Sequence, residues 1–430
     1  MVIGFDGSRA FSKDRTGTEN YSFQLLKALA KVDSKNIYII YIKPNSSVIS
    51  NVNERSQNSK SKSRDSSLIT RNDNIGWPDN FKFREINWPR LWTQAGLAIK
   101  TYQDKLDVLF IPAHTSPLIH KKGLKTVVTV HDLGSEYLPK MHQLKQRLYL
   151  KYITRYQLKS ATKLIAVSKA TKNDLIKKAG IEPGKIEIIH ESYDKELFKP
   201  FDSAQGGPVK GDTLVNSLKQ FDIKPGKYFL FVGTVQPRKN LERLIESYGR
   251  LLGVLPARYP AVHPRSHSLA AATRRESLLA VTPRNLVIVG SKGWLSDEIY
   301  KLPEKLGIED NVKFLGRVED KYLPALYSGA IALTFPSLFE GFGLPILEAQ
   351  ACGCPVLTSN ISSMPEVAGK GALYVNPNSL NDIIRGMREV QSSKFKVQSL
   401  VKAGFENIKR FSWEKCAKET LKVLENISSR

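Results

Sequence analysis

Short apolar runs alternate with amphipathic stretches along almost the whole of this chain, and that rhythm constrains the fold more than any other feature. Runs at 2–6, 37–42, 107–111, 126–130, 163–167 and 185–189 form a first series, and runs at 228–232, 285–289, 312–315, 331–335, 355–358 and 372–375 form a second. Apolar strands separated by helical patterns are the mark of parallel sheets buried on both faces. The polar, Gly-containing stretch 201–220 separates the series and reads as a linker edge. The chain is therefore expected to be α/β, with two Rossmann-like, doubly wound domains facing across a cleft, one over 1–200 and one over 221–410. Residues 411–430 read as a closing helix packed back on the N-terminal domain. Two stretches look inserted: 45–80, dominated by Ser, Asn, Lys and Arg, and 253–283, rich in Pro, Ala, Arg and His. Both lack patterned apolar residues and read as mobile surface loops.

The densest chemistry lies in FPSLFEGFGLPILEAQACGCPVL, where Glu340 and Glu348 flank a Gly-Phe-Gly turn. Residues 331–335 read as a buried strand, 336–343 as a loop, and 344–352 as a helix with Pro345 in its first turn and Gly353 at its end. A helix that starts directly after a glycine turn offers unpaired N–H groups and a positive dipole end. Gly343 and Leu344 are thus candidates to receive phosphate oxygens. Glu348, one turn on, leans back toward the same end. The order hydroxyls, phosphate, hydroxyls is that of a nucleotide sugar. Two other readings stay open on spacing alone: solvated surface carboxylates, and the acid and base of a glycosidase.

The strand at 228–232 runs into GTVQPRKN, which puts Arg238 and Lys239 at a strand's carboxyl end. Cations there suit a diphosphate, Lys as a compact charge and Arg as a fork. As an isolated pair they would be ordinary loop charges; in the same domain as the glycine turn they favour an anion site.

Lys and Arg number 65 against 41 Asp and Glu in 430 residues, a net charge of +24. Residues 137–173 contain no acidic residue, and Arg147, Lys151, Arg155, Lys159 and Lys163 recur every four positions beside Leu148, Tyr152 and Tyr156. That pattern, inside the basic segment 140–172, reads as a basic amphipathic helix, either a solvated face or a surface for an anionic membrane. No nucleic-acid module accompanies the charge, so no nucleic-acid partner is expected. No apolar run approaches the roughly 18 residues of a membrane span, and the chain opens on a strand rather than a signal peptide, so a cytoplasmic location is expected, peripheral to the inner face of the plasma membrane if the basic segment binds there. Cys352, Cys354 and Cys416 fit a reducing compartment as small buried residues. No Asp-x-Asp motif is present, and no metal or other cofactor is expected.

FVGTVQPRKNLERLIESY, LVIVGSKGW, VKFLGRV and FEGFGLPILEAQACGCPVLTSNISSMPEVAG resemble the nucleotide-binding half of the retaining glycosyltransferases of family 4, with Glu340 and Glu348 matching the E-x7-E motif. IGFDGSRAF, RTGTENY, TVVTVHDL and KLIAVSKATKNDLI extend the resemblance through the N-terminal half. It implies a GT-B fold, with the acceptor on the N-terminal domain and the nucleotide sugar on the C-terminal one, and transfer of a hexose from a nucleoside diphosphate sugar to a glycan or lipid-linked acceptor; mannosyltransferases of cell-surface polysaccharide look nearest, and a nucleotide-sugar epimerase or a non-catalytic polyanion-binding protein of the same fold are the alternatives. It implies that Glu340 contacts hydroxyls of the donor hexose and Glu348 the ribose, that Phe342, Gly343 and Leu344 present backbone to sugar and phosphate, and that Lys239 beside Arg238 neutralises the leaving diphosphate. Gly17, in the loop after the first strand, would let backbone approach that diphosphate, and His131 would sit against the hexose near the reacting carbon. Glu340, Lys239 and His131 are the implied catalytic residues. Two features depart from the pattern: Thr234 stands where many relatives have Arg, and IIHESYD replaces a sequence like PNGVD around 190–194.

Overall fold

A computed structural model describes residues 1–12, 15, 17–44, 76–88, 90–113, 116–133, 155–200, 211–255 and 285–428. Contacts divide the chain into two compact units, Met1–Ser192 with Phe411–Arg430, and Tyr193–Arg410.

The first unit is a seven-stranded sheet in the order β3-β2-β1-β4-β5-β6-β7, built from β1 (Val2–Asp6), β2 (Ile37–Ile42), β3 (Phe81–Glu85), β4 (Val108–Ile111), β5 (Lys125–Val130), β6 (Lys163–Ala166) and β7 (Ile186–Ile188). Every pairing is parallel. Successive side chains of a strand point to opposite faces. Tyr38, Ile40 and Ile42 accordingly enter one core cluster, and Ile39 and Tyr41 the other. The Gly17–Val32 helix and the closing Trp413–Ser428 helix cover the first of these clusters, to which the latter adds Cys416, Ala417, Leu424 and Ile427.

The second unit is a six-stranded parallel sheet in the order β10-β9-β8-β11-β12-β13: β8 (Tyr228–Val232), β9 (Asn285–Val289), β10 (Val312–Gly316), β11 (Ala332–Phe335), β12 (Val356–Ser359) and β13 (Leu373–Val375). Both units are thus the doubly wound α/β domains that the alternation predicts. In each sheet the strand order reverses beside the first strand, between β1 and β4 and between β8 and β11. Ligands of open parallel sheets bind at the carboxyl end of that switch point.

The differences are local. FKFRE forms the edge strand β3, which its charged residues hide from an apolar-run reading. Part of the supposed linker, Gly211–Lys219, is a helix whose Leu218 is fully buried. Lys163 opens β6, as the apolar run at 163–167 predicts, so the four-residue basic spacing carries past the end of any helix there, and Gly17 opens a helix rather than lying in a loop. Residues 45–75, 134–154, 201–210 and 256–284, which hold most of the two inserted stretches and the first half of the basic segment, lie outside the described residues. Among the described residues no helix is long and apolar enough to cross a membrane, and no group of three or more His, Cys, Asp and Glu could hold a metal ion.

Candidate active site

Three loops meet at the switch point of the second sheet. The one after β8 makes a single 3-10 turn, Pro237–Lys239, and then Asn240 takes a left-handed conformation with φ 61° to open the Leu241–Leu251 helix. The Asn240 amide is buried and donates to Pro336 O at 3.0 Å and Pro377 O at 2.8 Å, tying this loop to those after β11 and β13. Leu338 N donates to Arg238 O at 2.9 Å across the same seam. Gly290, after β9, completes the support. A Cβ there would stand 2.0 Å from Gly233 O, so any side chain would push the Arg238 and Lys239 loop away.

The seam brings Arg238, Lys239 and Glu340 together. Lys239 Nζ lies 2.5 Å from Glu340 Oε1, and Arg238 Nη1 lies 2.7 Å from Oε2 and 3.1 Å from Phe339 O. Lys239 and Glu340 are 6% and 5% exposed, so all of this happens away from bulk water. Burial alone would raise the Glu340 pKa, but the two cations overcome it and hold the carboxyl down at about 2. Two cations on one carboxylate leave a net positive charge in a low-dielectric setting, which favours an anion. The backbone of Glu340 is fixed as well. Ser362 Oγ donates to Glu340 O at 2.8 Å and accepts from its N–H at 3.2 Å, while Ser363 Oγ lies 2.7 Å from Phe342 O.

Gly341, Phe342 and Gly343 are buried, and Gly343, with φ 106° and ψ 50°, caps the Leu344–Ala351 helix. Positive φ at this point is what lets the chain turn straight from loop into helix. Glu348 sits a turn inside. Its Oε2 accepts from the Tyr327 hydroxyl at 2.7 Å. Burial pushes its pKa up to about 7 despite that hydrogen bond, and Asp320 and Asp194 add to the rise. The two glutamates of the motif are thus driven in opposite directions, Glu340 fixed as a carboxylate and Glu348 poised near neutrality.

His131 and Gly17 belong to the first unit. His131 follows β5, its Nε2 lies 2.9 Å from Pro112 O, and its Nδ1 is 3.8 Å from Glu191 Oε1. The ring meets Tyr21, on the Gly17–Val32 helix, edge to face at 4.6 Å. Facing a carbonyl on one side and a carboxylate on the other, the imidazole is favoured with both nitrogens protonated. Burial opposes that charge, yet Glu191 and Pro112 O raise its pKa. Gly17 is exposed, with no atom within 4 Å of where a Cβ would stand.

Sequence reasoning missed Tyr327, Asn240 and Glu191. Glu191 had a signal, since it falls in the HESYD departure from the family pattern. Tyr327 and Asn240 had none, because their partners, Glu348 for the first and Pro336 O and Pro377 O for the second, lie 21, 96 and 137 residues away in the chain.

Two parallel-sheet units, one with this cation and carboxylate cluster at its switch point, define a glycosyltransferase of the GT-B fold. The comparisons agree: the glycosyl transferases group 1 model matches residues 267–407 and the glycosyltransferase family 4 model matches residues 16–197. The chain belongs to this glycosyltransferase family. O-antigen chain mannosyltransferase B of Escherichia coli is 29% identical over 298 residues, 69% of each chain. O-antigen chain mannosyltransferase RfbU of Salmonella typhimurium is 27% identical over 301 residues, again 69% of each. Among solved structures, sucrose-phosphate synthase from Thermosynechococcus elongatus has a TM-score of 0.66 at 18% identity, covering 100% of this chain and 99% of its own. Anabaena HepE in complex with UDP-glucose has a TM-score of 0.65 at 15% identity, covering 99% of both. These two likenesses establish the fold.

Proposed function

We propose that this glycosyltransferase moves a hexose, mannose by its relatives, from a nucleoside diphosphate sugar to a hydroxyl of a growing cell-surface glycan, with retention of configuration. One observation carries the reading: Arg238 and Lys239 converge on Glu340 at the switch point with one positive charge in excess. A diphosphate that enters finds two cations already assembled, and Glu340 is released to accept from hexose hydroxyls. Glu348 at the far end of the turn is the matching grip for ribose hydroxyls.

In the reaction the bond from hexose C1 to the diphosphate oxygen breaks and a bond from the acceptor oxygen to C1 forms on the same face. The acceptor proton passes to a diphosphate oxygen, and the nucleoside diphosphate departs. Charge grows on the diphosphate, so Lys239 and Arg238 act most strongly in the transition state, where preorganised charges are most effective. These cations and the helix start at Gly343 stand in for a divalent ion, and transfer should survive EDTA. His131, whose pKa Glu191 and Pro112 O raise against the pull of burial, is suited to supporting negative charge rather than taking a proton.

The test is a thermal-shift screen over GDP, UDP and ADP with their sugars, followed by transfer assays with the stabilising donor. Lys239→Ala should keep its fold and lose transfer by about 100-fold or more. Near-normal turnover in that variant would sink the assignment. Sedimentation with anionic liposomes at low salt tests the peripheral-membrane reading of the basic segment.

A further inference from the structure

Four large apolar side chains stand exposed where the first unit's chain passes from β3 to β4 and from β4 to β5. Trp88 is 42% exposed, Ile99 41%, Tyr102 56% and Ile119 70%. Trp88 lies over Gly96, where a Cβ would meet Trp88 Cβ at 3.2 Å. Gly96 belongs to the Trp92–Leu97 π-helix, which runs on into the Ala98–Gln103 helix that carries Ile99 and Tyr102. Residues three apart on a helix are neighbours on its surface. Ile119 comes from the segment after β4, which is laced to this helical stretch along its length. Leu118 N donates to Gln94 Oε1 at 2.8 Å, Tyr102 Oη to His120 O at 3.0 Å, and Lys121 N to Thr101 Oγ1 at 3.0 Å. The four side chains thus share one surface, whereas apolar residues scattered singly would need no explanation.

The charges around this patch name its occupant. The stretches that build it, 86–103 and 116–124, contain no Asp or Glu and contribute Arg90, Lys100, Lys121 and Lys122. Of the acids that border them in the chain, Asp104 is buried against Tyr41 and Arg84, Asp107 accepts from Val2 N at 2.6 Å, and Glu85 ends β3. A surface for a protein partner is poor in lysine at its centre. An anionic bilayer asks for the opposite: Lys and Arg at headgroup level, Trp and Tyr with an apolar body and a polar tip at the same depth, and aliphatic side chains just beneath.

We infer that the first unit docks on an anionic membrane surface through Trp88, Ile99, Tyr102 and Ile119, with Arg90, Lys100, Lys121 and Lys122 facing the lipid phosphates. This surface is separate in sequence from the basic segment 140–172, and unlike charge alone it supplies apolar side chains to enter the bilayer. The docking does not rest on the proposed transfer reaction. Taken with that reaction it favours a lipid-linked acceptor, since enzyme and substrate then share one surface.

The experiment is sedimentation of the full chain with vesicles of phosphatidylcholine, alone and mixed with phosphatidylglycerol, together with quenching of tryptophan fluorescence by brominated acyl chains. Wild type should bind the mixed vesicles, less tightly as salt rises, and should be quenched. The quenching should largely disappear in Trp88→Phe, because the other tryptophans are less exposed. Affinity for the mixed vesicles should fall about tenfold or more in the double variant Lys121→Glu with Lys122→Glu, and again in Ile99→Gln with Ile119→Gln. All four of these side chains are exposed, so melting temperatures should not change. No binding by wild type overturns the inference. So does binding that survives either double variant, which then belongs to another surface, the segment 140–172 included. A wild-type oligomer that Ile99→Gln with Ile119→Gln splits into monomers overturns it too, since the patch is then an interface between copies. Thermal shift by nucleoside diphosphates is read on every variant and should be unchanged: its loss in one double variant marks misfolding and leaves the other to decide, while its absence in wild type defeats the donor reading and leaves the membrane result standing.

Discussion

Lys239 Nζ and Glu340 Oε1 are 2.5 Å apart although 101 residues separate them in the chain, and Arg238 closes on the other oxygen of the same carboxylate. The site is therefore an internal ion cluster in which one carboxylate is shared by two cations. Replacing that carboxylate separates its structural role from its functional one.

Glu340→Gln keeps the shape and removes the counter-charge. Two largely buried cations are then uncompensated, at a cost of about 3–5 kcal/mol. Net charge at the site rises from +1 to +2, so a nucleoside diphosphate should stabilise this variant by a larger thermal shift than it gives wild type, while transfer falls by about 100-fold. Calorimetric melting with and without GDP, UDP and ADP reads both. A variant as stable as wild type, or one less responsive to nucleotides, would mean that the cluster does not govern anion binding.

Glu348 makes donor binding depend on pH near neutrality. Its folded pKa of about 7 lies above its ordinary value of 4.5, so the folded chain holds this proton more tightly than the unfolded chain does. The resulting stability is fully present below 4.5 and is lost as pH rises from there to about 7. The ionised form is the better acceptor for ribose hydroxyls, so nucleotide affinity should climb as pH rises through the folded pKa of about 7. Tyr327→Phe removes the hydrogen bond that favours the carboxylate, and the midpoint of the affinity profile should move to higher pH. Titration calorimetry at several pH values from 6 to 8.5 checks the direction, and a midpoint that moves the other way contradicts it.

The second unit's support can be tested at Gly290. Its φ is 148°, and Gly233 O occupies the space a Cβ would need. Gly290→Ala should shift the loop that carries Arg238 and Lys239, lowering transfer more than about tenfold and stability by about 1–3 kcal/mol. Asn240→Ala reaches the same loop by a different route, through the loss of two buried amide hydrogen bonds. If both variants melt and turn over as wild type, the loop is not held in the way its contacts imply.

How much of this was legible in the sequence follows from what each element packs against. Strands such as VLFI and ALTF are buried on both faces and announce themselves as apolar runs. FKFRE lies at a sheet edge, where Lys82, Arg84 and Glu85 reach solvent, so β3 carries no such run. Gly211–Lys219 lies hidden in a polar stretch; among its described side chains Leu218 is the one fully buried anchor. At the site, the residue types and their order along the chain were readable. Their mutual distances were not, since the closure of Lys239 on Glu340 and of Tyr327 on Glu348 depends on β8 and β11 lying side by side and on the packing of their loops.

His131 offers a second pH-sensitive device, in the first unit, that can be told apart from Glu348. Its Nε2 faces Pro112 O and its Nδ1 faces Glu191, an arrangement that needs a proton on each nitrogen to avoid a repulsion. Its pKa is raised above the ordinary 6.5 against the pull of burial. A histidine raised in the folded state contributes stability that is fully present below 6.5 and is lost as pH rises through the folded value. Glu191→Gln removes the charge that sustains the imidazolium, so burial then prevails and the pKa should fall, flattening the loss of stability above pH 6.5. Glu348→Gln should instead flatten the loss between 4.5 and about 7. Melting profiles of the two single variants and the double variant from pH 4.5 to 9 resolve the contributions, and the effects should add because the residues belong to separate compact units. The His131 ring proton followed by NMR gives the direct reading. A titration midpoint unchanged in Glu191→Gln would show that the carboxylate 3.8 Å away does not set the charge of this ring.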